Sequence, residues 1–323
     1  MRAIVIDHFG GLDGLVIKEL PDPKPQPGQV LIQVKAFGVN HAELHMRRGE
    51  WAEAAEVSGI ECVGIVKECP GGEFKVGTKV AALMGGLGRT INGSYAEYTV
   101  APATNAVQIE SSLPWEDLAA LPESYATAWT CLFRNLELVK GQTLLIRGAT
   151  SSFGIAALNL AVSAGAHVIA TSRNPARFAK LKSLGAERTE LEGPKLSERL
   201  PEKNKIDLVL DLVGNTTFMD SLAIVRRGGK VCLAGWLGGL DPIDNFNPLL
   251  QMPSGVYLTF FGSFVFGKPQ FPLSDVPLQS VAEQVEAGQF QAKPARVFKF
   301  EDIREAHRVL ESNEANGKLV VVI

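Results

Sequence analysis

The chain is short of cysteine, of long apolar runs and of blocks of one charge, and each shortage removes a class of protein. Four cysteines, Cys62, Cys69, Cys131 and Cys232, form no C-x-x-C pair among 323 residues. They are too few and too scattered for a disulfide framework, so they are expected to be reduced and mostly buried. No stretch reaches the roughly eighteen uncharged apolar residues that a membrane-spanning helix needs. The apolar run at the N-terminus stops at Ile6 before Asp7, too early for the core of a secretory signal. A net charge of −3 and a pI near 6.0 offer no basic field to a phosphate backbone, and no run of five like charges marks a tail. Nucleic acid and membrane are therefore not expected as partners, and a cytoplasmic location is.

What is present is a 46% hydrophobic chain, long enough for two cores. Up to about residue 115, short β-rich runs (3–6, 15–20, 29–37, 61–69, 78–83 and 95–101) alternate with turn residues such as PDPKPQPG (21–28). This pattern predicts an irregular, mainly antiparallel β-domain. From about 115 the period becomes helical over 115–136, and strands and helices then alternate. The strands are TLLIR (143–147), HVIATS (167–172), a short one near 187–191, DLVLDLV (207–213) and KVCLAG (230–235), and the helices fall near 153–164, 174–184 and 216–226. Alternation at this length predicts a parallel, doubly wound sheet. VYLTFFGSFVF (256–266) reads as one more strand, either a last core strand or an edge that pairs across a dimer. Helix 275–288, strand 295–300, helix 302–313 and strand 318–323 return to the first pattern.

The informative turn is GATSSFG, residues 148–154, between the strand TLLIR and a helix. A pyrophosphate is held well at a helix N-terminus if small residues let the backbone approach it. Gly148, Ala149, Thr150, Ser151 and Ser152 supply that turn, Phe153 follows, and Gly154 lets helix and strand pack. Ala149 and Ser151 stand where the usual fingerprint has its first two glycines, so only the third is intact. The form of the dinucleotide is read at the end of the next strand, where an acid would bond the ribose 2′-OH of NAD. Ser172 and Arg173 stand there. Residues 138–186 hold no Asp or Glu, where the chain's average would place about five, but they hold Lys140, Arg147, Arg173, Arg177, Lys180 and Lys182. Arg173, with Arg177 as a second cation, fits a 2′-phosphate, so the expected cofactor is NADPH.

With NHAEL (40–44), GIECVG (59–64), NGSYAEYTV (92–100), the fingerprint turn and GKLVVVI (317–323) in order, the whole chain resembles the zinc-independent quinone oxidoreductases of the medium-chain dehydrogenase/reductase superfamily. The resemblance implies an α/β chain: a Rossmann doubly wound parallel sheet domain (119–266) inserted into a GroES-like mainly-β catalytic domain (1–118 plus 267–323). It also implies NADPH as hydride donor and a homodimer through the sheet edges. The zinc-dependent alcohol dehydrogenases of that superfamily carry Cys where Asn40 stands and Gly-His-Glu where Gly59-Ile60-Glu61 stands, and the four-cysteine lobe of many of them is missing from 84–94. No metal is therefore expected, although His41 and His45 share an i, i+4 spacing.

By the same resemblance, Asn40 lies beside nicotinamide and substrate, with His45 and Trp51 in the substrate pocket. Thr127, Val213, Gly214, Gly235 and Trp236 match cofactor contacts, and Trp236 and Trp51 offer flat faces to a planar substrate. Asn40 is open to donating to a carbonyl or holding the cofactor's amide, and also to capping a helix, roles that are compatible; His45 is a candidate proton donor; Glu43 is expected to pair with Arg47 one turn on. The activity expected is NADPH-dependent reduction of a quinone or other activated conjugated carbonyl. Enoyl-thioester reduction and a non-enzymatic NADPH-binding role are the alternatives.

Overall fold

The first strands, β1 (Arg2–Ile6) and β2 (Leu15–Glu19), pair antiparallel as a two-stranded ribbon. They open a computed structural model that describes all 323 residues. β3 (Gln29–Val39) alternates buried and half-buried side chains, as a strand with one face on a core must. After β4 (Glu61–Glu68), β5 (Lys79–Leu83), β6 (Tyr98–Pro102) and β7 (Ala106–Gln108), the chain turns helical.

The helical pattern around 115–136 is realised in three pieces: Trp115–Leu118, then Pro122–Thr130, then a π-helical turn, Cys131–Asn135. Pro122 has no N–H to continue the ladder, and its ring excludes the carbonyl four residues back, so the helix stops and starts again.

The parallel strands follow: β8 (Thr143–Arg147), β9 (His167–Ser172), β10 (Arg188–Leu191), β11 (Ile206–Asp211), β12 (Val225–Leu233) and β13 (Tyr257–Phe260). They form a six-stranded sheet in the order β10-β9-β8-β11-β12-β13, every pair parallel. This is the doubly wound Rossmann order, with the reversal between β8 and β11. Leu145, Ile169, Val209 and Val231 pack with Leu196, Phe218 and Leu222 from the short helices on one face. β13 is an edge strand and stops at Phe260, short of the expected 266. The Phe261 N–H donates to Leu233, the last residue of β12, and the ladder ends there.

β14 (Arg296–Lys299) and β15 (Leu319–Val322) complete a seven-stranded sheet in the order β14-β15-β3-β4-β5-β7, with β6 also on β3. Its core gathers Val30, Ile32, Phe37, Val39, Phe300 and Val321, closed by the amphipathic helix Ile303–Glu311. Two units result, Met1–Ala126 with Ser263–Ile323, and Thr127–Gly262. The expected bounds were 118 and 267, and the units here divide at 126 and 263. The first turn of helix Pro122–Thr130 is tied to the β-rich unit, because the Glu123 N–H donates to Glu61 Oε2 at 2.8 Å. All four cysteines are free; Cys62, Cys131 and Cys232 are buried and Cys69 half-buried.

Candidate functional site

In the parallel unit, β8 ends at Arg147 and the chain turns at Gly148, whose φ of +76° suits glycine. Ser151, at the place of the second fingerprint glycine, is the N-cap of helix Ser152–Ser163. Its Oγ accepts the Gly154 N–H at 3.0 Å and donates to the Gly148 carbonyl at 2.9 Å, so this hydroxyl closes the turn on itself. The N–H groups of Ser152 and Phe153 stand in the first helical turn, where no carbonyl four residues back can take them. Gly154 is required: a Cβ there would stand 2.6 Å from both the Ala149 Cα and the Gly148 carbonyl oxygen.

At the end of β9, Ser172 Oγ is occupied by its own turn, accepting the Asn174 N–H at 3.1 Å and donating to the Asn174 carbonyl at 3.2 Å. Arg173 is exposed. Arg177 Nη1 donates to Thr150 Oγ1 at 3.4 Å, which brings this cation to the fingerprint turn. Arg147, counted in the sequence among the cations of this window, points the other way. It is fully buried, bonded to Glu192 at 2.5 Å and Asp220 at 2.8 Å. Burial alone would lower its pKa, but Glu192, Asp211 and Asp220 outweigh that and raise it. The window free of acids in sequence thus meets Glu192 in space, already neutralised.

At the end of β11, Asp211 Oδ1 accepts the N–H groups of Val213 at 2.9 Å and Gly214 at 3.0 Å. Gly214 takes φ +97°, and a Cβ there would meet the Gly235 carbonyl at 2.5 Å, so two strand ends touch backbone to backbone. Trp236 is half-buried and stands edge-on to Phe260, centroids 5.8 Å apart. Thr127, the first residue of this unit, is buried. Turns 148–154, 172–177, 211–214 and 235–236 therefore lie at the carboxyl ends of β8, β9, β11 and β12, where ligands sit on such sheets.

In the β-rich unit, Asn40 precedes helix His41–Arg48, and both ends of its amide are engaged. Oδ1 accepts Lys318 Nζ at 2.6 Å and Nδ2 donates to Glu61 Oε1 at 2.9 Å. Lys318 Nζ also bonds Glu61 Oε1. Glu43 accepts the N–H groups of Asn40 at 2.9 Å and Ile60 at 3.1 Å, and burial pushes its carboxyl up to about 7. It does not pair with Arg47, as expected from the helical spacing, because Arg47 turns instead to the Gly10 carbonyl and Glu311. His45 Nδ1 is bonded to Glu50, and its ring stacks on Trp51, centroids 5.3 Å apart.

Glu61 and Lys318 were not singled out from the sequence. A lone acid inside the buried run GIECVG and a lone lysine just before LVVVI were the available signals. These groups do not make a zinc donor set: Asn40 and Ile60 hold two ligand positions, Glu61 is already bonded to a cation, and no three His, Cys, Asp or Glu side chains converge.

A two-part fold with a β-rich unit and a Rossmann sheet, whose fingerprint turn and strand ends face one edge, defines a nicotinamide-linked oxidoreductase. Residues 26–111 match the alcohol dehydrogenase GroES-like domain and residues 165–321 the zinc-binding dehydrogenase family, and the chain belongs to the medium-chain dehydrogenase/reductase superfamily. It is 26% identical to the quinone oxidoreductase of Lama guanicoe, covering 100% of this chain and 98% of that one. It is 25% identical to the acryloyl-coenzyme A reductase of Sulfurisphaera tokodaii, covering 99% of each. Among solved structures, an NAD-dependent alcohol dehydrogenase superposes with a TM-score of 0.85 at 27% identity over 100% of both chains. Quinone, thioester and alcohol enzymes thus stand at similar distance, so the class is defined more sharply than the substrate.

Proposed function

We propose that this protein is an NADPH-dependent reductase that passes hydride to a quinone or another activated conjugated carbonyl, an enone or alkenal, without zinc. The observation that carries this reading is the Lys318–Glu61 pair. By the resemblance, the superfamily's zinc enzymes carry Cys and His where Asn40 and Ile60 stand, and here a fixed ammonium holds the adjacent acid. Without a Lewis acid to lower an alcohol's pKa, the favoured direction is hydride delivery to an acceptor already polarised by conjugation.

The dinucleotide, when bound, supplies the hydride. The N–H groups at Ser152 and Phe153 suit its pyrophosphate, Gly148, Gly154, Gly214 and Gly235 leave room for close approach, and Arg173 and Arg177 suit a 2′-phosphate. Asn40, its amide spent on Lys318 and Glu61, is read as a positioning residue. His45, oriented by Glu50 and Trp51, is the protein group suited to hold a proton for the developing oxyanion. The exposed apolar side chains of edge strand β13 support a homodimer. No helix is long and apolar enough to cross a membrane, and a cytoplasmic location remains part of this reading.

The test is NADPH oxidation followed spectroscopically with a 1,4-quinone, an enone, a 2-alkenal and a crotonyl thioester. Turnover with the first three is expected. The similarity to an acryloyl-coenzyme A reductase favours a second reading, enoyl-thioester reduction, in which the thioester is preferred. Tight NADPH binding with no turnover on any acceptor would point to a binding protein instead.

A further inference from the structure

Arg147 is the last residue of β8 and stands in register beside Asp211 of β11. Its side chain is fully buried, and every nitrogen of the guanidinium is occupied within the protein. On one flank, Nε and Nη2 donate to the two oxygens of Glu192 at 3.2 and 2.5 Å. Glu192 Oε2 accepts the Thr171 hydroxyl at 2.6 Å, and the same hydroxyl oxygen accepts the Gly148 N–H at 3.1 Å. On the other flank, Nη1 donates to Asp220 Oδ2 at 2.8 Å, to Ser221 Oγ at 3.2 Å and to the Thr217 carbonyl at 3.4 Å. Ser221 Oγ donates to Asp211 Oδ2 at 2.6 Å, and the other oxygen of Asp211 fixes the N–H groups of Val213 and Gly214.

We infer that Arg147 is a positioning residue for the cofactor: one buried guanidinium cross-links the turn at Gly148 and the turn at Val213–Gly214, and so sets the distance between two backbone segments facing the dinucleotide. This rests on the reading of 148–154 as the pyrophosphate turn. The arginine cannot reach a phosphate itself, because its donors are spent inward. It acts through Thr171 on one segment and through Ser221 and Asp211 on the other.

Only a planar fork serves both directions at once. A lysine at the same place has a single ammonium nitrogen and cannot give Glu192 two parallel bonds while reaching Asp220 on the opposite flank. A buried ion cluster of this kind adds little net stability over an apolar core, but it fixes geometry, because each bond has one direction that satisfies it. The hydroxyl of Thr171 illustrates this. With its hydrogen drawn to Glu192, its lone pair is left facing Gly148, so the acid just after β10 dictates where the turn after β8 lies.

The experiment uses the full-length protein and measures the Kd of NADPH, the melting temperature, and kcat and KM for a 1,4-quinone at saturating NADPH. Thr171→Val removes the hydroxyl link at nearly constant volume and is expected to weaken NADPH about tenfold, the worth of one hydrogen bond to a charged group. Arg147→Lys is expected to weaken it further, with quinone KM and kcat at saturation near wild type. A cofactor-specific loss in folded Thr171→Val supports the inference even if the arginine variant fails to fold. Wild-type NADPH affinity in Thr171→Val, or an equal loss in cofactor and quinone parameters, overturns it while leaving the cofactor reading intact. Failure of wild-type protein to bind NADPH or NADH overturns both.

Discussion

Lys318 and Glu61 meet as an ion pair with side-chain exposures of 4% and 0%. The room for it comes from Gly38, where a Cβ would stand 2.2 Å from Glu61 Oε1 and 2.4 Å from Lys318 Cε. A buried pair costs little while intact and much when halved, because the survivor is an uncompensated charge. Lys318→Met should therefore destabilise the protein by roughly 3–5 kcal/mol, read from denaturant midpoints. Adding Glu61→Leu should recover a good part of that loss. A single variant as stable as wild type would show that the pair is not the charge balance of this unit.

Glu43 gives a pH signature. Its carboxyl has an ordinary value near 4.5 and is raised to about 7 in the fold, chiefly by burial. Between those values the native state keeps a proton that the unfolded chain has released. The stability it contributes is complete below 4.5 and lost as pH rises through 7. His307 slopes the other way, since burial lowers it to about 3. The comparison is therefore Glu43→Gln against wild type, with His307 common to both. The variant should gain on wild type across that interval, by on the order of a few kcal/mol. Parallel stability curves would exclude Glu43 as the titrating group.

Cofactor preference rests on the end of β9. Arg173→Ala should weaken NADPH by about tenfold or more, the loss of a charge-assisted bond, and leave NADH nearly unchanged. Arg177→Ala should do the same more weakly, since that side chain is shared with Thr150. Isothermal titration with both dinucleotides decides the matter, and an equal loss for both would remove the 2′-phosphate from the reading.

The edge strand β13 carries Tyr257 at 62%, Leu258 at 40% and Phe260 at 52% exposure. If two sheets join there, Leu258→Lys places a charge in the seam and should convert a dimer to a monomer in light scattering, with the circular dichroism spectrum unchanged. A wild-type protein that already runs as a monomer would end the proposal.

Strands and their parallel or antiparallel nature were legible because apolar runs, turn residues and helix spacing are local signals. The fingerprint turn was legible for the same reason, even with Ala149 and Ser151 in place of glycines. Three things were not. Ser151, expected near the pyrophosphate, spends its hydroxyl on Gly148 and Gly154, and a capping role differs from a ligand role only in where a hydrogen points. Arg147 was counted only among the cations of the acid-free window, and its direction is set by Glu192 and Asp220, far along the chain. Lys318 and Glu61 are 257 positions apart, beyond the reach of any window of residues. Contacts made by tertiary closure leave only single-residue traces in sequence, such as a lone lysine before an apolar strand.

β15 lies between β14 and β3, and it alone covers the flank of β3 from Ala36 to Val39. During synthesis that flank stays unpaired until residues 319–322 leave the ribosome, whereas the Rossmann strands, ending at Phe260, are already complete. The nascent chain can therefore form the turn at 148–154 before Lys318 is made. Until then β3 exposes a buried-type apolar edge, so shielding from aggregation depends on residues translated well after the strand they cover.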